Sequence, residues 1–208
     1  MIATTTLLGF AAASVLLALA PGPDNLFVLT QSALKGRASG LMVTLGLCSG
    51  LVVHTTAVAL GVAAIFQTSE VAFVALKFVG AAYLAFLAYK ALRAGAEPLG
   101  SAGDAPVDLR KMYLRGILMN VTNPKVAIFF LAFLPQFADP AQGHLGAQIF
   151  LLGGVFMLCA LVVFSAIALV ADRLSAWLRR SARGQVVLNR VAGVVLLGLA
   201  AKLALAQR

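Results

Sequence analysis

Six long apolar runs dominate the chain, at about Thr6–Leu34, Gly40–Phe66, Val71–Leu92, Tyr113–Phe137, Gly146–Ala171 and Val186–Ala206. A hydrocarbon core about 30 Å thick is crossed by a helix of about 20 apolar residues. Each run is long enough for one crossing. A soluble fold is a poor solution for such a sequence. The 208 residues are 62% hydrophobic and 11% charged, whereas soluble domains average about 45–50% apolar and about 25% charged. Too little polar surface exists to cover a globule in water. The alternating ten-residue pattern of an outer-membrane barrel is also missing. The expectation is an all-α integral membrane protein of six transmembrane helices, with residues 1–208 forming a single transmembrane domain. The first run ends one half with Ala18-Leu19-Ala20, which resembles a leader cleavage site. No Lys or Arg precedes that run, and a secretory leader carries a basic start, so the run is read as a retained span.

The net charge of +9 does not point to nucleic acid, because the basic residues are sorted by loop. Lys35 and Arg37 follow the first run. Lys90, Arg93, Arg110, Lys111 and Arg115 flank the third connection, and Arg173, Arg179, Arg180, Arg183 and Arg190 flank the fifth. The second and fourth connections carry none. Basic loops stay on the cytoplasmic side, which predicts odd connections inside and both termini outside. The basic segment after the fifth run is a positive-inside anchor against membrane lipid. Cys48 and Cys159 both lie within apolar runs, with no CxxC or metal-ligand spacing. They read as small buried hydrophobes, and no metal or cofactor is expected.

The polar stretch RAGAEPLGSAGDAPVDLRK divides the runs three and three. Repeat one is residues 1–92, the linker 93–112 and repeat two 113–208. The halves echo each other in order. PGPDN (Pro21–Asn25) corresponds to NPK (Asn123–Lys125), GLVVHT (Gly50–Thr55) to ALVVFS (Ala160–Ser165), and KFVG (Lys77–Gly80) to RVAG (Arg190–Gly193). Three spans is an odd number, so the second half enters the membrane from the opposite face. The expected architecture is a pair of inverted three-helix repeats, which in secondary transporters places substrate at the repeat interface near the midplane.

The two proline motifs are the polar intrusions that such spans should exclude. Asp24 lies about 15 Å from the cytoplasmic end of its run and Lys125 about 18 Å from the start of its own, at 1.5 Å per residue, near the bilayer centre. Pro21, Gly22, Pro23 and Pro124 break the helices there, since proline removes a backbone donor. A charge at that depth costs about 2.5–3.5 kcal/mol on insertion scales, and freed backbone groups are tolerated only inside protein or beside water. Asp24 and Lys125 are therefore expected to face inward, toward each other. Asn25, Asn120 and Asn123 stand ready to pair with freed backbone or a polar ligand. The structural alternative is a kinked helix pair held by one buried ion pair. His54 is mid-span and is read either as a proton relay or as a core histidine bonded to a carbonyl. Thr30, Gln31, Ser32, Thr55 and Thr56 are expected to bond between helices, and GRASG (Gly36–Gly40) and GLCSG (Gly46–Gly50) to let helices approach closely. Lys77 and Arg190 are read as snorkelling to the interface.

PGPDNLFVLTQSALKGRASGLMVTLGLCSG (Pro21–Gly50), NPKVAIFFLAFLPQF (Asn123–Phe137) and KFVGAAYLAFLAYKALR (Lys77–Arg93) resemble the signatures of the lysine-exporter and homoserine/threonine-resistance family, in the same order and over nearly the whole chain. The resemblance implies a multi-pass carrier of the bacterial cytoplasmic (inner) membrane. It would export amino acids or close derivatives, driven by protons or the membrane potential. It points to Pro21, Gly22, Pro23, Asp24, Asn25, Asn123, Pro124 and Lys125. The expected roles are alternating access with Asp24 at the substrate ammonium or coupling proton, and Lys125 with a half-helix start at the carboxylate. Homo-oligomerisation stays open. Two other readings remain: an exporter of a metal ion or other small solute, and a transmembrane thiol-redox conduit. The first wants carboxylate, His or Cys clusters. The second wants reactive cysteines beside the breaks.

Overall fold

The computed structural model describes residues 2–68, 70–95 and 107–205. All of its described regular structure is helical. Residues 96–106 of the expected linker lie outside the described part.

The first apolar run folds as two helices, α1 (Thr4–Leu19) and α2 (Pro23–Lys35), bent by 59° at the break. The cause is local. A residue before proline is pushed off helical geometry, and Ala20, ahead of Pro21, takes φ −59° and ψ 120°. Pro23 then opens α2 from its first position, where its missing N–H costs nothing. α2 ends at Gly36, whose φ of 85° is the left-handed region that glycine enters without strain. That turn separates α2 from α3 (Arg37–Thr68). Gly36 was expected to serve helix packing; it makes the turn instead. α4 spans Glu70–Arg93.

The second half repeats the pattern. α5 (Leu109–Val121) and α6 (Pro124–Ile128), continued to Phe137, are bent by 49°. Asp108 caps α5 and Asn123 caps α6, each side chain accepting a backbone N–H. The helix then widens into a π turn, Phe129–Phe133, and tightens into a 3-10 turn, Leu134–Phe137. The sequence reading had no signal for the widening. Pro135 lacks the N–H that Leu131 would accept, and its ring crowds that carbonyl. Leu134 N–H reaches back five residues to Phe129 O.

α7 (Leu145–Arg180) and α8 (Ala182–Leu205) complete the bundle. Four stretches, on α3, α4, α7 and α8, are apolar and long enough to cross a membrane, and the total is up to six if each bent pair is one span. α7 outruns its apolar run by more than two turns. Ala171, Leu174 and Leu178 there pack on Leu29 and Ala33 of α2, so the helix continues where hydropathy alone would end it.

α3 is the hub, packed on α2, α5 and α7, while α4 pairs with α8 and α1 with α7. The α3–α5 contact brings backbones together: a Cβ on Gly46 would run into the Tyr113 carbonyl, and one on Gly116 into the Val43 carbonyl. Gly50 lies against Asn120 and Gly153 against Thr55, so GLCSG packs as its spacing suggests. The interior is apolar and aromatic. Phe10, Phe129, Phe133, Phe137 and Phe156 form a chain of ring contacts. The outside is apolar too, with Leu60 at 73% and Val162 at 69% exposure. A surface of that kind is stable only against lipid, and the chain is a multi-pass membrane protein.

Candidate functional site

Each helix break strips carbonyls of their partners, and the structure shows what replaces them. In α1 the carbonyl of Leu17 should accept from residue 21, which is proline and has no N–H. Lys125 supplies the bond from the other half of the chain. Its Nζ donates to Leu17 O at 3.3 Å and to Ala20 O at 2.9 Å. The ammonium thus sits on the carbonyl end of α1, where the helix dipole favours a cation. A Cβ on Gly22 would lie 3.0 Å from Lys125 Nζ, so glycine at this position leaves room for the charge. Asn25 donates from Nδ2 to Ala18 O at 2.6 Å, covering a further carbonyl of the same end.

The second break uses the same chemistry. Pro124 cannot donate to Asn120 O. His54 Nε2 lies 3.0 Å from that oxygen; a carbonyl only accepts, so Nε2 carries the hydrogen. Asn123 N donates to the same carbonyl at 3.0 Å. His54 is therefore bonded to a carbonyl, one of its two sequence readings, and its ring lies 5.7 Å from that of Phe130. Asn123 is occupied as a cap, accepting Lys125 N–H at Oδ1, 2.9 Å.

Asp24, Asn25, Asn120, Asn123 and Lys125 are all buried, so the predicted residues do come together from both halves. The side chains of Asn123 and Asn120 face the Asp24 carboxylate, and the Lys125 charge acts on it. Lys125 places its own hydrogen bonds on α1. Among the described residues, the buried side-chain atoms without a hydrogen-bond partner are Asp24 Oδ1, Asn25 Oδ1, Asn120 Oδ1, Asn123 Nδ2 and Gln31 Oε1. Four of these belong to the two breaks. A buried polar atom left unpaired costs about 1–3 kcal/mol.

Other predicted residues do different work. Ser32 Oγ and Thr55 Oγ1 donate to Val28 O and Leu51 O, four residues back on their own helices, instead of bonding between helices as expected. A side-chain-to-side-chain bond between helices joins Ser49 Oγ and Tyr113 Oη of α3 and α5 at 2.9 Å, a pair the sequence reading did not select. Lys77 Nζ lies 4.9 Å from the Phe78 ring centroid, in keeping with an interfacial position, and Arg190 is exposed. Cys48 contacts Met157 O and Cys159 contacts Ala11 O, each at 3.9 Å, away from the breaks. Among the described residues no group of three or more His, Cys, Asp or Glu gathers as a metal site. The backbone acceptors Leu17 O and Asn120 O were also missed. Their signal was available: each lies four residues before a proline.

The sequence carries independent kinship. It is 34% identical over 197 residues to an uncharacterized membrane protein of Pseudomonas aeruginosa, covering 92% of this chain and 91% of that one. It is 34% identical over 195 residues to the homoserine/homoserine lactone efflux protein of Salmonella typhimurium, covering 93% of both. With the leucine efflux protein of the same organism it shares 28% over 195 residues, 93% of this chain and 92% of that one. No solved structure matches the chain. The profile of the LysE type translocator family matches residues 15–207, and the chain belongs to that family of amino-acid exporters.

Proposed function

We propose that this protein is a secondary exporter of amino acids or close derivatives across the bacterial inner membrane, working by alternating access and proton antiport, with its substrate lodged between the two helix breaks. The observation that carries this reading is the cluster of buried, unpaired polar atoms where PGPDN meets NPK. It is supported by efflux proteins for homoserine, homoserine lactone and leucine among the relatives. Asp24 receives the substrate ammonium and exchanges it for a proton. Asn25, Asn120 and Asn123 line the site. His54 joins the coupling through the Asn120 carbonyl. Lys125 ties the end of α1 to the opposite repeat, so that movement at one break is felt at the other. Pro21, Gly22, Pro23 and Pro124 maintain the breaks.

The helix pairing supports inverted repeats. α3 packs on α7 and α4 on α8, while α3–α5 is matched by α7–α1, as a two-fold relation between halves requires. The basic loops favour both termini outside. The aromatic chain from Phe10 to Phe137 then closes the outer side of the breaks. Membrane lipid surrounds the bundle, and a homo-oligomer is compatible with its apolar perimeter. The test is uptake of labelled leucine and homoserine into everted vesicles under an imposed proton gradient. Wild-type protein accumulates at least one of them, and Asp24→Asn lowers the initial rate about tenfold or more at equal protein level. Uptake of neither amino acid, or an Asp24→Asn protein at the wild-type rate, would sink the proposal.

A further inference from the structure

We propose that the groove between the start of α3 and the end of α7 binds the phosphate of an anionic membrane phospholipid, held between Arg37 and Arg173. A cavity of about 180 Å³ opens there, lined by Arg37, Leu169, Val170 and Arg173. Its lining comes from both halves of the chain, one residue from α3 and three from α7. Packing explains why the two arginines meet. A Cβ on Gly40 would press on Ala168, and one on Gly153 would press on Thr55, so α3 and α7 run antiparallel. Arg37 lies three residues before Gly40 and Arg173 five after Ala168, which brings both to the same end of that contact. The cavity is small beside the about 300–1,000 Å³ of a site for a drug-sized solute. It suits a phosphate group rather than a second whole substrate.

Depth points to lipid as the occupant. The apolar span of α3 begins at Arg37 and that of α7 ends at Ala171. Both guanidiniums therefore stand at one edge of the apolar layer, where the polar headgroup region begins. One face of α7 is graded in the same order. Leu169 and Val170, at 48% and 50% exposure, lie on the apolar side. Arg173 follows, and Trp177, also half exposed, comes one turn later. Tryptophan at headgroup level is a mark of the membrane interface, and the ring of Trp177 is seated against Gly184 of α8. A guanidinium matches phosphate oxygens with two parallel N–H···O bonds. Arg37 makes a further contact within the protein, and its five donors can serve a phosphate beside it. A soluble phosphate would meet the same two cations, but it has no use for the exposed Leu169 and Val170 next to them. An acyl chain does. A zwitterionic lipid carries its own cation beside the phosphate and gains less from two arginines.

Trp177 is the one tryptophan of the chain, so its fluorescence reports lipid at this place. The full chain is reconstituted in phosphatidylcholine vesicles that carry a minor fraction of brominated phosphatidylglycerol or brominated phosphatidylcholine, whose acyl chains quench a tryptophan they touch. The brominated phosphatidylglycerol should quench Trp177 as strongly as an about five- to tenfold higher fraction of brominated phosphatidylcholine. Arg37→Gln and Arg173→Gln should each lower that preference about threefold or more. Arg110→Gln, at an exposed arginine that opens α5, should leave it unchanged. Equal quenching by the two lipids in the wild type overturns the proposal. So does Arg110→Gln lowering the preference as much as Arg173→Gln, which would mean diffuse surface charge. Relief of the quenching by inorganic phosphate would assign the cavity to a soluble anion and overturns the lipid site as well. Should either arginine variant fail to fold, the wild-type lipid comparison and the phosphate arm decide. No transport is measured, so the result stands apart from the export reading.

Discussion

A single ammonium links the two halves of the molecule. Lys125 leaves its own short helix and satisfies the carbonyls of Leu17 and Ala20. Lys125→Met keeps the bulk and removes the donor, leaving both carbonyls buried and unpaired. The expected loss is about 1–3 kcal/mol per orphaned group, read as a lower unfolding temperature in detergent. Lys125→Arg, which keeps a cation, should recover part of it. A Lys125→Met protein as stable as wild type would show that water serves those carbonyls equally well. Legibility at this scale was uneven. Asp24 and Lys125 stood out because a charge in an apolar run is expensive. Their partners did not, because a freed backbone carbonyl is marked only indirectly, by a proline four residues later.

At the scale of elements, both breaks follow one rule: proline frees the carbonyl four residues earlier, and a distant side chain takes it. The rule makes a paired prediction. His54→Phe strands the extra acceptor capacity of Asn120 O, whereas Pro124→Ala restores the missing N–H. The two changes combined should destabilise by less than the sum of their separate effects, with a coupling of about 0.5–3 kcal/mol in a double-mutant cycle. Additive effects would mean that His54 and Pro124 do not share that carbonyl. The start of α5 offers a milder test. Asp108 accepts the Lys111 N–H, which holds its carboxyl below the usual carboxylate value. A lowered value means that the cap contributes fully above the unfolded-state pKa and is lost as pH falls through the folded one. The protection of amides in the first turn of α5, corrected for the intrinsic pH dependence of exchange, should therefore fall at acid pH in the wild type. In Asp108→Asn, whose amide oxygen also caps, it should not.

For the whole molecule, the arrangement predicts sidedness. In a Cys48→Ala/Cys159→Ala background, Asp139→Cys in the fourth connection should react with an impermeant maleimide in intact cells. Gly95→Cys should react only after permeabilisation. Reversed labelling would refute the orientation drawn from Lys and Arg placement. The same background should export at the wild-type rate, since neither thiol touches the breaks; a dead background would revive the redox conduit. The close α3–α5 seam belongs to this scale too, because α3 is the hub. Gly116→Val would drive a branched side chain into the Val43 carbonyl. Overpacking costs about 1–3 kcal/mol and should lower the unfolding temperature of the entire bundle.

Hydropathy and proline placement by themselves determined that this chain is a multi-pass membrane protein and where its helices break. Those properties follow from residue type and from the proline backbone, both local. Helical rise, which converts residue number into distance, gave the expectation of charge and amide near bilayer depth. Tertiary structure decided who meets whom. Lys125 chose carbonyls over Asp24, and His54 found Asn120. Ser32 and Thr55 turned back on their own helices, and α7 ran on past its apolar end to pack Leu178 against α2. None of this is encoded by period or composition. It depends on which freed backbone group comes within reach once the helices have packed.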